Sequence, residues 1–540
     1  MTQTSQASRP TPAHGLARPG VLLMVAGILG LAFEILFYGH RPGVSIFLWC
    51  ALGVAGLLVS AAAERVRPSA SALALLGLLL ALGWMTYVRL EPLTVMLDVG
   101  LILVCLALVM RLTQHNLLFD FGWIDMALAT VTAPLEAWVR PWPIIGQQWG
   151  SSIREEGRRK VVFSVLRGLA LALPVLVVFG ALLGAADLVF GDYLEAALRW
   201  LDLDRLAEYA GRFTLMVAVG VFCLGAMVVA LRPQPEPRLV GKSQPLVAPF
   251  LGATEAIIIL VALDLLFAAF VAVQFTYLFG GEANIHIAGY TYAEYARRGF
   301  GELVAVGVLS LGLIYALSAV TRRSTSAARK AYGWLSSGLV VLVGVILVSA
   351  YQRLALYESA YGFSRLRTYT HVALIWLGLT FIAFLILLWR ERLRLVAPVA
   401  LAVAAGFTLS LGLVNVDAFI VERNVERFNA SGDVDVAYLL ALSEDAMPGL
   451  VGLARLAPEE VREELLPQLA CRRSALRNDA ARVSWPSRHA SRDRALAGLE
   501  SLNDMLEPYR VVRVYHGDSR PHWPVYVVRW PDGQADCTVP

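Results

Sequence analysis

Five carboxylates stand where an apolar chain can least tolerate them. Glu34, Asp98, Glu255, Asp264 and Glu302 fall inside or beside long apolar runs, with Gln274 as a polar companion. A charge in hydrocarbon costs several kcal/mol unless it faces protein or water, so such groups mark ion pathways, proton relays or internal pairs. Asp264 is the sharpest, in the middle of "TEAIIILVALDLLFAAFVAVQF". It lies about 18 Å along the helix from Gly252 at 1.5 Å per residue. Glu255 falls on roughly the opposite face of that helix, so the two share a site only with help from other helices. Asp264 reads either as a proton or cation relay or as a carboxyl bonded to a neighbouring helix.

A second chemistry is written in arginine. In "TYAEYARRGFGELVAVGVL" (291–309), Glu294, Arg298 and Glu302 follow at four-residue spacing and share a helix face, while Arg297 points about 100° away. "YQRLALYESAYGFSRLRTYTH" (351–371) adds Arg353, Arg365 and Arg367 against Glu358, among many tyrosines. Tyrosine at a membrane interface is ordinary belt behaviour, but arginine there asks for a partner. That partner is either an acid of the same chain or an anionic lipid, glycan phosphate or peptide gripped by bidentate guanidinium.

Other chemistries lack their residues. "GKS" at Gly241–Ser243 would need the first glycine of a phosphate loop at Glu236, in a proline-rich linker with no preceding strand. H-E-x-x-H, C-x-x-C and G-x-S-x-G are absent, so neither a metal nor a cofactor is expected; His516 and His522 beside a turn read as solvated polar residues. Of the 46 basic residues only Lys160, Lys242 and Lys330 are lysine, and no basic stripe supports nucleic-acid binding. Gly180 and Gly184 permit close helix approach, within the chain or between copies, so the oligomeric state stays open.

The elements that must position these groups are membrane helices. Hydrophobic residues make up 57% of 540, charged residues 16%, and mean hydropathy is +0.62. Soluble chains average about 25% charged residues. With about 20 apolar residues per crossing, the pattern predicts about eleven spans: 21–38, 44–63, 70–88, 93–112, 165–186, 209–231, 252–275, 302–320, 333–350, 370–389 and 395–415. The stretch 117–139 is apolar but broken by Asp120, Asp125, Pro134 and Glu136, and reads as an interfacial helix.

Cytoplasmic loops are enriched in Lys and Arg. Placing the N-terminal tail (1–20) inside makes "ERVR" (64–67), "REEGRRK" (154–160), "TRRSTSAARK" (321–330) and "RERLR" (390–394) all cytoplasmic. The transmembrane domain then covers 21–417. An odd span count sends 418–540 outside as a small α+β domain, helical from Ser443 and with strands in "RVVRVYHGD" and "PVYVVRW". Cys471 and Cys537 are its two cysteines, and an oxidising exterior would permit a disulfide between them. The fold class is therefore an all-α polytopic membrane bundle with a small C-terminal α+β domain outside the bilayer.

"RGLALALPVLVVFGALLGAADLVFG" (167–191), the stretches around Asp264, Arg297 and Arg365, and "VDAFIVERNVERFNASGDVDVAYLLALSEDAMPGL" (416–450) resemble the bacterial membrane family called domain of unknown function 4173 and its neighbour 4153. The resemblance implies a multi-pass protein of the bacterial inner membrane and transfers no catalytic residues. Three function classes follow. The leading one is a transport-like role or the binding of an anionic envelope ligand; the others are a sensor or scaffold that captures an envelope protein, and a membrane enzyme acting on lipid-linked substrates.

Reporters active on one side of the membrane only, fused after Asp417 and after Pro540, are expected to report the outer side. A cytoplasmic signal would mean a miscounted crossing, first of all at 117–139.

Overall fold

A computed structural model describes residues 16–146, 203–232, 249–278, 300–514 and 525–537, with a few isolated positions between 168 and 190. Four helices open the chain as antiparallel neighbours: α1 (Pro19–Phe37), α2 (Val44–Ala63), α3 (Ala70–Val88) and α4 (Pro92–Leu112). Their starts follow local chemistry. Ser69 caps α3 by accepting from the Ala72 amide at 3.1 Å, and the Glu91 carboxylate caps α4 by accepting from the amides of Leu93 and Thr94. Proline at the first helical position of α1 and α4 costs no hydrogen bond.

After α5 (Trp123–Val139), α6 (Leu203–Leu231) packs along α1, and together with α1 to α4 they bury one apolar cluster. A second cluster joins α7 (Ala253–Leu278), α8 (Phe300–Val320), α9 (Ser326–Tyr361) and α10 (Arg365–Trp389). Helix α11 (Val396–Val414) links the two clusters, packing on α10, α3 and α4.

Among the described residues, ten helices are long and apolar enough to cross a bilayer. The span expected at 165–186 lies outside the described residues, as do Glu294, Arg297, Arg298, the "GKS" stretch and the two histidines near 520. The largest boundary difference is α9, which runs 36 residues where 333–350 was expected. At 1.5 Å per residue it is about 54 Å long, well beyond the ~30 Å hydrocarbon core, because polar turns at both ends continue the helix past the apolar centre.

The spans share their sidedness. Gln114, just past α4, donates to the carbonyls of Ala230 and Arg232 at the end of α6, and Leu251 before α7 pairs with the end of α8. Arg65, Arg232, Arg322 and Arg392 sit in turns on this basic face. The start of α1 shares that face, and the C-terminal domain covers the opposite one.

Helix α5 has a two-sided surface pattern. Ile124, Leu128, Val131, Leu135 and Trp138 are exposed along one face, while Met126, Ala129, Ala133 and Ala137 are buried on the other against α4 and α6. Such a stripe suits a helix with one side on protein and one on lipid. Arg111 of α4 pairs with Glu136, which explains how that acid is held beside an apolar run.

The C-terminal domain is α+β. It consists of α12 (Val416–Ser431), α13 (Val436–Leu440), α14 (Met447–Leu456), α15 (Glu459–Arg482), α16 (Ala490–Glu500), α17 (Asn503–Leu506) and an antiparallel sheet β1 (Arg510–Val514), β2 (Val525–Trp530), β3 (Gly533–Asp536). The register sets Arg510 opposite Arg529 and Val527 opposite Asp536. The strand pair was legible in the sequence; β3, four residues with Gly533 at its start, was not. Cys537, just past β3, is disulfide-bonded to Cys471 of α15, with Cα atoms 5.7 Å apart. Asn415 in the left-handed region, at φ 56°, ends α11 and turns the chain directly into α12.

Helices α1 and α6 cross closely at Gly30 and Gly220. A Cβ added at Gly30 would lie 2.4 Å from the Met216 carbonyl oxygen, whereas one at Gly27 would meet nothing within 4 Å. Gly30→Ala is therefore expected to lose about 1–3 kcal/mol by overpacking, read as a lower melting temperature in detergent, while Gly27→Ala leaves it unchanged. Equal melting of the two variants would refute this account of the crossing.

Candidate functional site at the domain joint

The C-terminal domain rests on the span ends through buried polar groups. Asp417, in the first turn of α12 and 0% exposed, accepts from Arg365 at the start of α10: Nε to Oδ1 at 2.8 Å and Nη2 to Oδ2 at 2.6 Å. Its Oδ2 also accepts from the Ser443 amide at 2.8 Å, and the Arg365 amide donates to the Tyr438 hydroxyl at 2.9 Å. Next to this pair, Tyr369 of α10 bonds Glu91, the acid that caps α4. Two spans, α4 and α10, and the domain thus meet at one set of charges.

A second contact closes over the end of α3. The Leu90 amide donates to Asp445 at 2.6 Å, Ser491 donates to the other oxygen of Asp445 at 2.8 Å, and Arg494 donates to the Val88 carbonyl at 2.8 Å. His489, 2% exposed, caps α16 by accepting the Ser491 amide at Nδ1, so its Nε2 carries the proton that goes to the Thr86 carbonyl at 3.0 Å. Burial pushes the His489 pKa down, against the opposing pull of the Thr86 bond and of Asp445.

Between this joint and the α1–α2 turn lies a cavity of about 900 Å³. Arg41, Arg472, Arg482 and Arg492 line it together with Glu444 and Asp479, leaving two positive charges in excess. Asp479 is engaged by Arg41 at 3.2 Å and Arg492 at 3.3 Å. Arg472 is 8% exposed; its Nη2 donates to the carbonyls of Leu440 and Leu442, and its Nε has no partner among the described residues. Burial lowers the Arg472 pKa, with Glu444 and Asp417 pulling the other way. The Cys471–Cys537 disulfide forms part of the wall.

The described residues among those singled out in the sequence do not form one site. Glu34 is buried against Arg212 of α6, whose guanidinium also lies 4.8 Å over the Tyr38 ring. Glu255 is exposed at the start of α7, and Asp264 faces Gly338 of α9 about 14 Å further along. Asp98 is 0% exposed in α4, and neither of its oxygens has a hydrogen-bond partner among the described residues.

The described arginines of the expected rim are taken up by protein. Arg353 donates to Gln274 at 2.7 Å, Arg365 holds Asp417, and Arg367 lies 4.1 Å over the Tyr357 ring while donating to the Tyr361 and Gly362 carbonyls. Glu302 is exposed in the first turn of α8. Glu358 pairs not with an arginine but with His371 Nδ1 at 3.2 Å.

Asp417, Glu91, Asp445, Arg472 and His489 were missed. The one sequence signal for Asp417 was an acid directly after the last span in a chain with surplus arginine at the same level.

Ten apolar spans capped on one face by a docked α+β domain define a multi-pass membrane protein. The chain belongs to the family called domain of unknown function 4153, whose model matches residues 23–453. Of the two neighbouring families named from the sequence, the match gives this one and not 4173. No curated protein and no solved structure matches the chain. The family match includes the joint residues Glu91, Arg365, Asp417 and Asp445, and ends before the cavity wall formed by α15 and α16.

The His489 shift sets a pH dependence. With the folded pKa below the ordinary value of about 6.5, the unfolded chain takes up the proton first, so the stabilisation is complete above that value and is lost as pH falls below it. Stability is expected to drop by up to about 1.4 kcal/mol per pH unit below 6.5, seen as a falling melting temperature between pH 7.5 and 5.5. His489→Gln should flatten that fall; an unchanged slope would remove His489 from the account.

Proposed function

We propose that the protein binds an anionic envelope ligand in the cleft between its C-terminal domain and the α1–α2 turn. The observation that carries this reading is the positive surplus around a cavity of about 900 Å³, where Arg41, Arg472, Arg482 and Arg492 stand against Glu444 and Asp479. A cavity short of negative charge favours an oxyanion from phosphate or carboxylate, which guanidinium groups at its wall such as that of Arg482 can grip. The sequence pointed to an anionic ligand through Arg297, Arg298, Arg353, Arg365 and Arg367. The described members of that set are occupied within the chain, which moves the ligand reading to the cleft.

Positive turns on the opposite face support an outward-facing cleft in a bacterial cytoplasmic membrane, with the N-terminus inside. This setting suits the disulfide. The ligand reading is preferred to transport because Asp98 and Asp264 belong to helices of separately packed apolar clusters.

Pyrophosphate is the probe. Added to the purified protein in detergent, it is expected to raise the melting temperature, with an affinity that weakens as salt rises and that falls about tenfold in Arg482→Gln. No response to pyrophosphate, or an equal response in Arg482→Gln, would overturn the assignment.

A further inference from the structure

The basic face carries a second anion-friendly cavity, independent of the outer cleft. It has a volume of about 540 Å³ and lies between the α8–α9 turn and the end of α10. Arg323, Arg329 and Lys330 line it, opposed by Glu391 alone among the lining acids. Arg329 is 3.3 Å from Glu391, and Arg323 lies 4.9 Å over the Tyr332 ring while donating to the Ser318 carbonyl. Lys330 has no ion-pair partner among the described residues. Three cations against one carboxylate leave the pocket short of negative charge.

A groove among the spans adjoins this pocket. Its wall residue Trp389 donates Nε1 to Ser337 Oγ at 3.0 Å and meets Trp334 edge to face at 5.4 Å. Ser337 and Trp334 in turn line a groove of about 660 Å³ between α7 and α9, floored by Val261, Leu265, Val341 and Leu342. Along α9, Lys330, Trp334 and Gly338 succeed one another at one helical turn each, about 6 Å apart in depth. Cation, interfacial tryptophan and apolar groove therefore appear in the order in which a phospholipid presents phosphate, glycerol and acyl chain.

We infer that this site holds an anionic phospholipid, with its phosphate against Lys330 and Arg329 and one acyl chain in the α7–α9 groove. Charge complementarity selects the headgroup, and the groove's apolar walls select the chain. Asp264, the ionisable residue of the groove, faces Gly338 at the depth the chain would reach. Its carboxyl is thereby placed beside bound lipid, which gives the most conspicuous acid of the sequence a setting other than an ion path.

The test uses the full-length protein in a zwitterionic detergent, titrated with dioleoylphosphatidylglycerol, with dioleoylphosphatidylcholine or with glycerol 3-phosphate. Phosphatidylglycerol is expected to raise the melting temperature and to stay bound in native mass spectra, and the other two are not. The double change Arg329→Gln with Lys330→Gln should weaken phosphatidylglycerol binding about tenfold. Val341→Trp, at a position 64% exposed, should weaken it by filling the groove without unfolding the bundle. Equal retention of phosphatidylcholine, or insensitivity to the double change, would overturn the headgroup assignment. Equally strong binding of glycerol 3-phosphate would show a free-phosphate site and overturn the acyl groove.

Discussion

The buried pair between Arg365 and Asp417 is the interaction on which the joint depends. Asp417 has no contact with solvent and spends both oxygens on one guanidinium and on the Ser443 amide. Removing either charge would leave the other uncompensated, a change that costs on the order of 3–5 kcal/mol at a buried pair. Arg365 is partly exposed, so its own loss falls toward the lower end. The pair also fixes geometry, because two parallel N–H···O bonds allow one relative orientation of α10 and α12.

That orientation is prepared by the backbone. Asn415 turns α11 into α12 without a loop, which sets Asp417 within one turn of the bundle surface. Gly362, at φ 76°, performs the matching turn before α10, and a side chain there would collide with Asn424 of α12, whose amide bonds both the N–H and the carbonyl of Phe363. Span ends leave unsatisfied amides and carbonyls. The domain answers many of them: Asp445 takes the Leu90 amide, while Arg494 and His489 give to carbonyls of α3. Docking and helix capping are here the same set of bonds.

Arginine is used in three ways across the molecule. At the span ends beside the C-terminal domain it neutralises acids and caps carbonyls; at the cleft it surrounds a cavity with charge left over; on the basic face it shares a pocket with lysine beside tryptophans. A count of arginines in the sequence merges these uses, since the three differ in what stands opposite each guanidinium. Arg365 and Arg482 look alike in composition, yet one is matched by Asp417 and the other faces an open cavity.

Much of the architecture was legible because the bilayer imposes a length and a polarity on each crossing. The ten described spans fall close to the apolar runs, the charged turns share one face, and the helix-then-strand order of the C-terminal domain follows from its capping serine and valine-rich strands. The membrane-span acids were equally visible as anomalies. What the sequence could not supply was partnership. Arg365 and Asp417 are 52 positions apart, His489 and Thr86 are 403 apart, and the cavity wall brings Arg41 next to Asp479 across 438. Periodicity and hydropathy act within a helix, whereas a side chain's partner is set by how helices pack and by which corner residues turn the chain. Tertiary structure alone therefore decided which charges are spent on partners inside the protein and which stand at cavity walls.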